Sequence, residues 1–346
     1  MIIPIGIEGD YLETKNTHLY FDIKGLHHPN NRKICFIRFF PDNQGDRQKN
    51  GVLYKKIYVL EKRYSLLKTN YPQYLFFSKE YDMELQGVKS EDIERIYTPR
   101  TYFQSLYNAK ALSKIEKVSR DLCELFIDEG GISRDCIGIT GSQMVGLNKN
   151  DSDIDLIIYG TKLGLDFQHS IKQIFKTSDK CRSYNVEEYK KHYDWRFGGS
   201  NIPFSTFLKT EMRKLHQGKY QGIDFFIRYI KSPDDWKGDY YDYQFQNLGR
   251  IHMKAKIIDS IDSIFTPCRY KIKPLKVLYS SIVKRKLAFD KINEIFSYRG
   301  RFCEQAIEGE TVNIEAKLEK VKYRNEQEYF RLVLENQISD KMMVIT

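Results

Sequence analysis

The run Asp151-Ser152-Asp153-Ile154-Asp155-Leu156-Ile157-Ile158-Tyr159 alternates acidic and apolar side chains and then becomes wholly apolar. That is the pattern of a strand entering a buried sheet. Side chains of an extended chain alternate faces, so Asp153 and Asp155 share one face while Ile154 and Leu156 enter the core. Two carboxylates about 7 Å apart along one strand can share a divalent cation. Without a cation or hydrogen bonds, like charges at the rim of a core strand repel. Upstream, Cys136-Ile137-Gly138-Ile139 reads as a short buried strand that stops at Gly141-Ser142. Free backbone N–H groups and a hydroxyl at such a turn suit phosphate oxygens.

A Gly-Ser turn followed by Asp-apolar-Asp-apolar on a strand resembles the signature of the DNA polymerase beta-type nucleotidyltransferase superfamily. The matching positions are Gly141, Ser142, Asp153 and Asp155. The resemblance implies a third carboxylate on a later strand, and Asp224 in Gly222-Ile223-Asp224-Phe225-Phe226-Ile227 is the candidate. Many members carry a basic residue near the position of Val145, whereas this chain has Gln143-Met144-Val145 there. The resemblance further implies a two-metal mechanism, with two Mg²⁺ or Mn²⁺ ions held by Asp153 and Asp155 and the one nearer the attacking hydroxyl also by Asp224, a nucleoside triphosphate substrate, and transfer of its nucleoside monophosphate to a hydroxyl. Outside this segment the chain resembles an archaeal-type multidomain architecture.

The chain has 346 residues, enough for two or three domains. Its 56 Lys and Arg against 46 Asp and Glu give a net charge of +10, which favours polyanionic partners, RNA foremost. A merely soluble basic protein is the plain alternative. The six cysteines are scattered, without a C-x-x-C pair, and read as reduced thiols. No apolar run is long enough to cross a bilayer, and the first residues are too soon interrupted for a signal peptide, so a cytoplasmic protein without membrane contact is expected.

The expected fold class is α+β with three domains. Residues 1–103 form an N-terminal mixed α/β domain, with strands at His18–Ile23 and Ile34–Phe40 joined through a Pro-Asn-Asn turn. His27 and His28 lie in that connection and lack a flanking carboxylate cluster, which argues against a metal site. Residues 104–245 form the catalytic domain, a mixed sheet with helices, in which apolar spacing predicts one amphipathic helix from Gln104 to Glu129. A helix over Pro203–His216 carries Arg213 and Lys214, candidate contacts to the triphosphate on the strength of their proximity in sequence to Asp224. A solvated helix face explains these bases equally well. Residues 246–346 read as a small β-barrel, OB-like, with alternation at Ile251, Met253, Ala255, Ile257 and at Val312, Ile314, Ala316, Leu318. Interleaved Arg and aromatic residues in Phe265–Tyr270 and Ser297–Glu304 suit either nucleic-acid contact or packing. Competing readings are a non-catalytic nucleic-acid platform, and nucleotidyl transfer to a protein or small molecule.

Overall fold

The computed structural model describes residues 1–197, 202–281, 289–324, 327–336 and 338–345. The fold is mixed α+β and divides into two units. The first joins Met1–Lys79, Met83–Cys181 and Lys219–Tyr240; the second joins Glu80–Asp82, Arg182–Gly218 and Tyr241–Thr346. This differs from three consecutive domains. The N-terminal segment and the acidic strand share one unit, and the boundary expected near 245 falls after Tyr240.

The first unit opens with β1 (Tyr11–Thr14), β2 (Tyr20–Ile23), β3 (Arg32–Pro41), β4 (Arg47–Lys49) and β5 (Val52–Lys56), then α1 (Leu60–Asn70), β6 (Leu75–Ser78), β7 (Met83–Lys89) and β8 (Ile93–Tyr97). These strands make an eight-stranded sheet ordered β4-β5-β3-β2-β1-β8, with β7 on β3 and β6 on β7. The expected hairpin is present, β2 running antiparallel to β3 with Asp22 opposite Phe36 and Ile23 opposite Cys35. One face buries Leu12, Phe21, Ile23, Cys35 and Ile37 against Leu67 of α1. The other carries Tyr11, Tyr20, Phe39 and Tyr54. Between Tyr20 and Phe21 the register slips: Tyr20 faces Phe39 while Phe21 faces Ile37, so Arg38 is an extra residue in a β-bulge.

Two helices follow, α2 (Pro99–Asn108) and α3 (Lys114–Asp128), where one was expected. The break is made at Ser113, whose side chain accepts from the Glu116 N–H while Glu116 accepts from the Ser113 N–H, a capping box that starts a new helix. Next come β9 (Ile137–Thr140), α4 (Gly141–Met144), β10 (Ile154–Tyr159), α5 (Thr161–Thr177), β11 (Cys181–Arg182), α6 (Val186–Phe197), α7 (Phe204–Glu211), β12 (Gln217–Tyr220) and β13 (Ile223–Ile230). A five-stranded sheet is ordered β11-β12-β13-β10-β9. In it β10 runs parallel to β13 and antiparallel to β9. One face, with Phe225, meets Phe126 of α3, which in turn contacts Phe167 of α5. On the opposite face Ile157 and Tyr159 pack with Ile3 and Ile7 of the N-terminal segment.

The second unit contains α6 and α7, packed through Tyr189 and Phe207, and the strands β14 (Tyr243–Asp259), β15 (Cys268–Ser280), β16 (Ile292–Ser297), β17 (Thr311–Tyr323), β18 (Gln327–Val333) and β19 (Lys341–Val344). The sheet path is β14-β15-β16-β18-β17-β19, and β14 also pairs with β17. Five strands thereby close a ring in which β16 and β18 are parallel. Both alternating sets point inward: Ile251 faces Ala316, Met253 faces Ile314 and Ala255 faces Val312, all within one buried cluster. Among the described residues no helix is long and apolar enough to cross a membrane.

Candidate active site

Asp155 lies on β10 between two buried apolar residues, and Asp153 stands one residue before the strand. Ile154 and Leu156 are fully buried, Asp155 is half-buried and Asp153 exposed. Asp155 lies opposite Thr140, the last residue of β9, so the chain's next step delivers Gly141 directly to the carboxylate. Gly141 has φ +76°, and a Cβ there would stand 2.4 Å from Asp155 Oδ2. Only glycine permits both the left-handed backbone and that approach. Burial raises the Asp155 carboxyl to about 6, the Asp153 carboxylate adds to the shift, and Arg228, Lys56 and Arg38 oppose it. A carboxylate pair under this tension is suited to a divalent cation.

Gln143 does structural work. Its amide accepts from the Ser119 hydroxyl of α3 at 3.0 Å and donates to the Asp153 carbonyl at 3.3 Å, tying the acidic strand's entry to a helix. Met144 and Val145, with Leu147, pack against Tyr11, Tyr20, Phe39 and Tyr54 of the N-terminal sheet. The Arg47 guanidinium donates to the Leu147 carbonyl, and Lys149 pairs with Asp46. The loop between the glycine turn and the acids is thus held from two sides.

Asp224 shares the face. Phe226 stands opposite Asp155 in the parallel register, so Asp224 and Arg228, two residues to either side of Phe226, point the same way. Its carboxylate is taken by another cation, however: Lys219 Nζ lies 3.0 Å from Asp224 Oδ1, an ion pair in distance though not in hydrogen-bond alignment. Among the described residues no group of three or more His, Cys, Asp or Glu gathers closely enough to hold a metal ion. Asp153 and Asp155 therefore remain the pair, with Asp224 set beside them and neutralised by Lys219.

Arg213 and Lys214 belong to the second unit, past the end of α7, which stops at Glu211 rather than at His216. Both are engaged there. Arg213 grips Glu310 in a two-pronged ion pair of 2.6 and 2.9 Å and also donates to the Gln305 carbonyl. Lys214 is fully buried, 2.5 Å from Glu211, and donates to the Arg301 carbonyl. Both side chains, candidate triphosphate contacts in the sequence, are held by carboxylate and carbonyl partners within the second unit. The arginines of Ser297–Glu304 are likewise occupied, Arg301 by the carbonyls of Asn336 and Asp340 and by the Phe302 ring. His28 is a half-buried imidazole, its Nδ1 accepting from the Ile34 N–H and its pKa lowered by desolvation to about 3.

Facing the acidic strand is a set of charges that the linear pattern did not reveal. Glu8, fully buried, accepts from Arg228 at 2.7 Å, from Lys24 at 2.9 Å and from the Gly25 N–H at 2.8 Å. Asp22 pairs with Lys24 at 2.9 Å and stands 3.9 Å from Arg38 Nε. These cations hold the Asp22 carboxyl below its ordinary value although burial works the other way. The one legible signal was Arg228, which shares a strand face with Asp224; the rest arrive through pairing distant in sequence.

No family model matches the chain, and no solved structure matches it. It is similar to a protein of Methanocaldococcus jannaschii described as uncharacterized, with 25% identity over 334 residues that cover 94% of each chain.

Proposed function

We propose that the protein is a metal-dependent nucleotidyltransferase that moves a nucleoside monophosphate from a nucleoside triphosphate to a hydroxyl, with RNA the favoured acceptor. The observation that carries the reading is the close set of Asp155, Asp153 and Gly141: two like charges that act on one another at the entry of one strand, with a bare backbone turn pressed against Asp155. Asp153 and Asp155 are the residues that would hold Mg²⁺ or Mn²⁺. A pair of ions there would supply two things, positive charge against the leaving pyrophosphate and a lowered pKa of the attacking hydroxyl. Gly141 and Ser142 offer a turn to the phosphates, and Gln143 keeps Asp153 in register. Asp224 is the proposed third acid, and Lys219 must release it when the site is loaded.

The acceptor is read from the second unit. Its ring of five strands, closed by β14 with β17 and with β16 parallel to β18, supports an OB-type barrel. On β14 and β15, Lys254 stands opposite Lys276 and Lys256 opposite Lys273. Like charges directly across a sheet repel, and a polyanion relieves that repulsion. One observation favours a second reading, a nucleic-acid platform without catalysis: Asp224 already has a cation in Lys219. Each labelled nucleoside triphosphate, offered with RNA, DNA and protein acceptors, separates the two. Mg²⁺-dependent transfer supports the enzyme, whereas metal-indifferent, salt-sensitive nucleic-acid binding without transfer supports the platform.

A further inference from the structure

The N-terminal sheet presents one face towards the glycine turn and the acidic strand, since Tyr11, Tyr20, Phe39 and Tyr54 pack against Met144, Val145 and Leu147. On the same face the pairing places three charged side chains. Asp22 lies opposite Phe36, Lys56 lies opposite Phe39, and the bulge inserts Arg38 between Ile37 and Phe39. A regular strand would send residue 38 to the opposite face from Phe39; the extra residue lets both point towards the acids. Bulges are a usual means of re-aiming a side chain beside a site.

These cations are not fully used. Arg38 Nε stands 3.9 Å from Asp22 Oδ2, beyond hydrogen-bond distance, and this buried atom has no hydrogen-bond partner. The Lys56 ammonium lies over the Tyr58 and Phe39 rings, at 4.9 and 5.9 Å, whereas its neighbour Lys55 is paired with Asp42. Both act electrostatically on Asp155. By contrast Lys24 and Arg228 are already spent on Glu8 and Asp22. The chain thus lacks a base at Gln143-Met144-Val145 and supplies two from a different sheet.

We propose that Arg38 and Lys56 are the triphosphate-binding cations of this site, so that the N-terminal sheet forms the phosphate half of a centre whose acidic half is β10. This rests on the nucleotidyltransferase reading and deepens it. The ligand class is a nucleoside triphosphate, recognised through its β and γ phosphates: the planar guanidinium offers paired donors and the ammonium a point charge.

The test is equilibrium binding of a non-hydrolysable nucleoside triphosphate, and of the matching monophosphate, to the full-length protein with Mg²⁺. Lys56→Gln and Arg38→Gln should each weaken triphosphate binding by about tenfold or more while changing monophosphate binding by less than about threefold. Arg38→Gln removes a buried contact, so its melting temperature is measured beside its affinity; Lys56→Gln, at a half-exposed position, answers alone if Arg38→Gln does not fold. Unchanged triphosphate affinity in a folded Lys56→Gln protein that still transfers nucleotide overturns this inference and leaves the nucleotidyltransferase reading standing. A wild-type protein that neither binds triphosphate nor transfers it brings down both.

Discussion

Asp155 is where the chemistry and the stability of this protein pull apart. Its folded carboxyl, raised from 3.8 to about 6 by burial and by Asp153, holds a proton more tightly than the unfolded chain does. Its contribution to stability is therefore complete below 3.8 and is lost as pH rises through about 6, where Arg228, Lys56 and Arg38 only partly compensate the ionised group. Asp155→Asn should accordingly stabilise the cation-free protein at pH 7 to 8 by on the order of 1 kcal/mol, the gain vanishing near pH 4. Thermal unfolding with a chelator across that range measures it. Saturating Mg²⁺ should close the gap by stabilising the wild type alone, because only the ionised carboxylate binds the cation. A gain that persists at pH 4 would place the effect in packing instead of charge.

Among the elements, the turn from β9 into α4 carries the sharpest steric demand. At Gly141 a side chain meets both a φ of +76° and the Asp155 oxygen at 2.4 Å, whereas at Gly222, φ +81°, a Cβ meets open space. Gly222→Ala should thus cost about 1 kcal/mol of backbone strain, and Gly141→Ala distinctly more, with loss of nucleotide transfer. Denaturant unfolding of the two variants, run beside the transfer assay, separates strain from displacement of the acid. Equal costs at the two glycines would remove Gly141 from its place against Asp155. The strands β9, β10 and β13 were legible because each is a short apolar run with period-two exceptions. The division of α2 from α3 was not read, since apolar spacing continues across Ala109, Leu112 and Ile115, although Ser113 and Glu116 carried the capping signal. Arg38 was hidden for a different reason: a bulge is set by strand pairing, which no local periodicity encodes.

At the scale of the whole molecule the chain makes two units where consecutive reading expected three domains, because Glu80–Asp82 and Arg182–Gly218 join the C-terminal strands. Composition could report an excess of positive charge but not its placement. The paired lysines 254 with 276 and 256 with 273 concentrate that charge on two neighbouring strands of the second unit. Replacing Lys256 and Lys273 by Ser should weaken RNA binding several-fold and reduce the slope of log affinity against log salt by about 1 to 2, as expected when two phosphate contacts are lost. A salt titration of binding gives both numbers, and an unchanged slope would move the nucleic-acid surface elsewhere. Arg213 and Lys214, candidates through proximity in sequence to Asp224, have carboxylate partners in the second unit, a pairing across the chain that linear spacing does not encode.

The central claim, that Asp153 and Asp155 form a cation-dependent nucleotidyl-transfer site, is tested most directly by transfer of a labelled nucleoside monophosphate to acceptor RNA with Mg²⁺ present. Wild-type protein should transfer, and the Asp153→Asn, Asp155→Asn double variant should lose about a thousandfold in rate or more, the several kcal/mol that metal-assisted stabilisation of the transition state supplies. Melting as a single cooperative transition would show that the variant is folded. Transfer at the wild-type rate by the folded double variant would contradict the account.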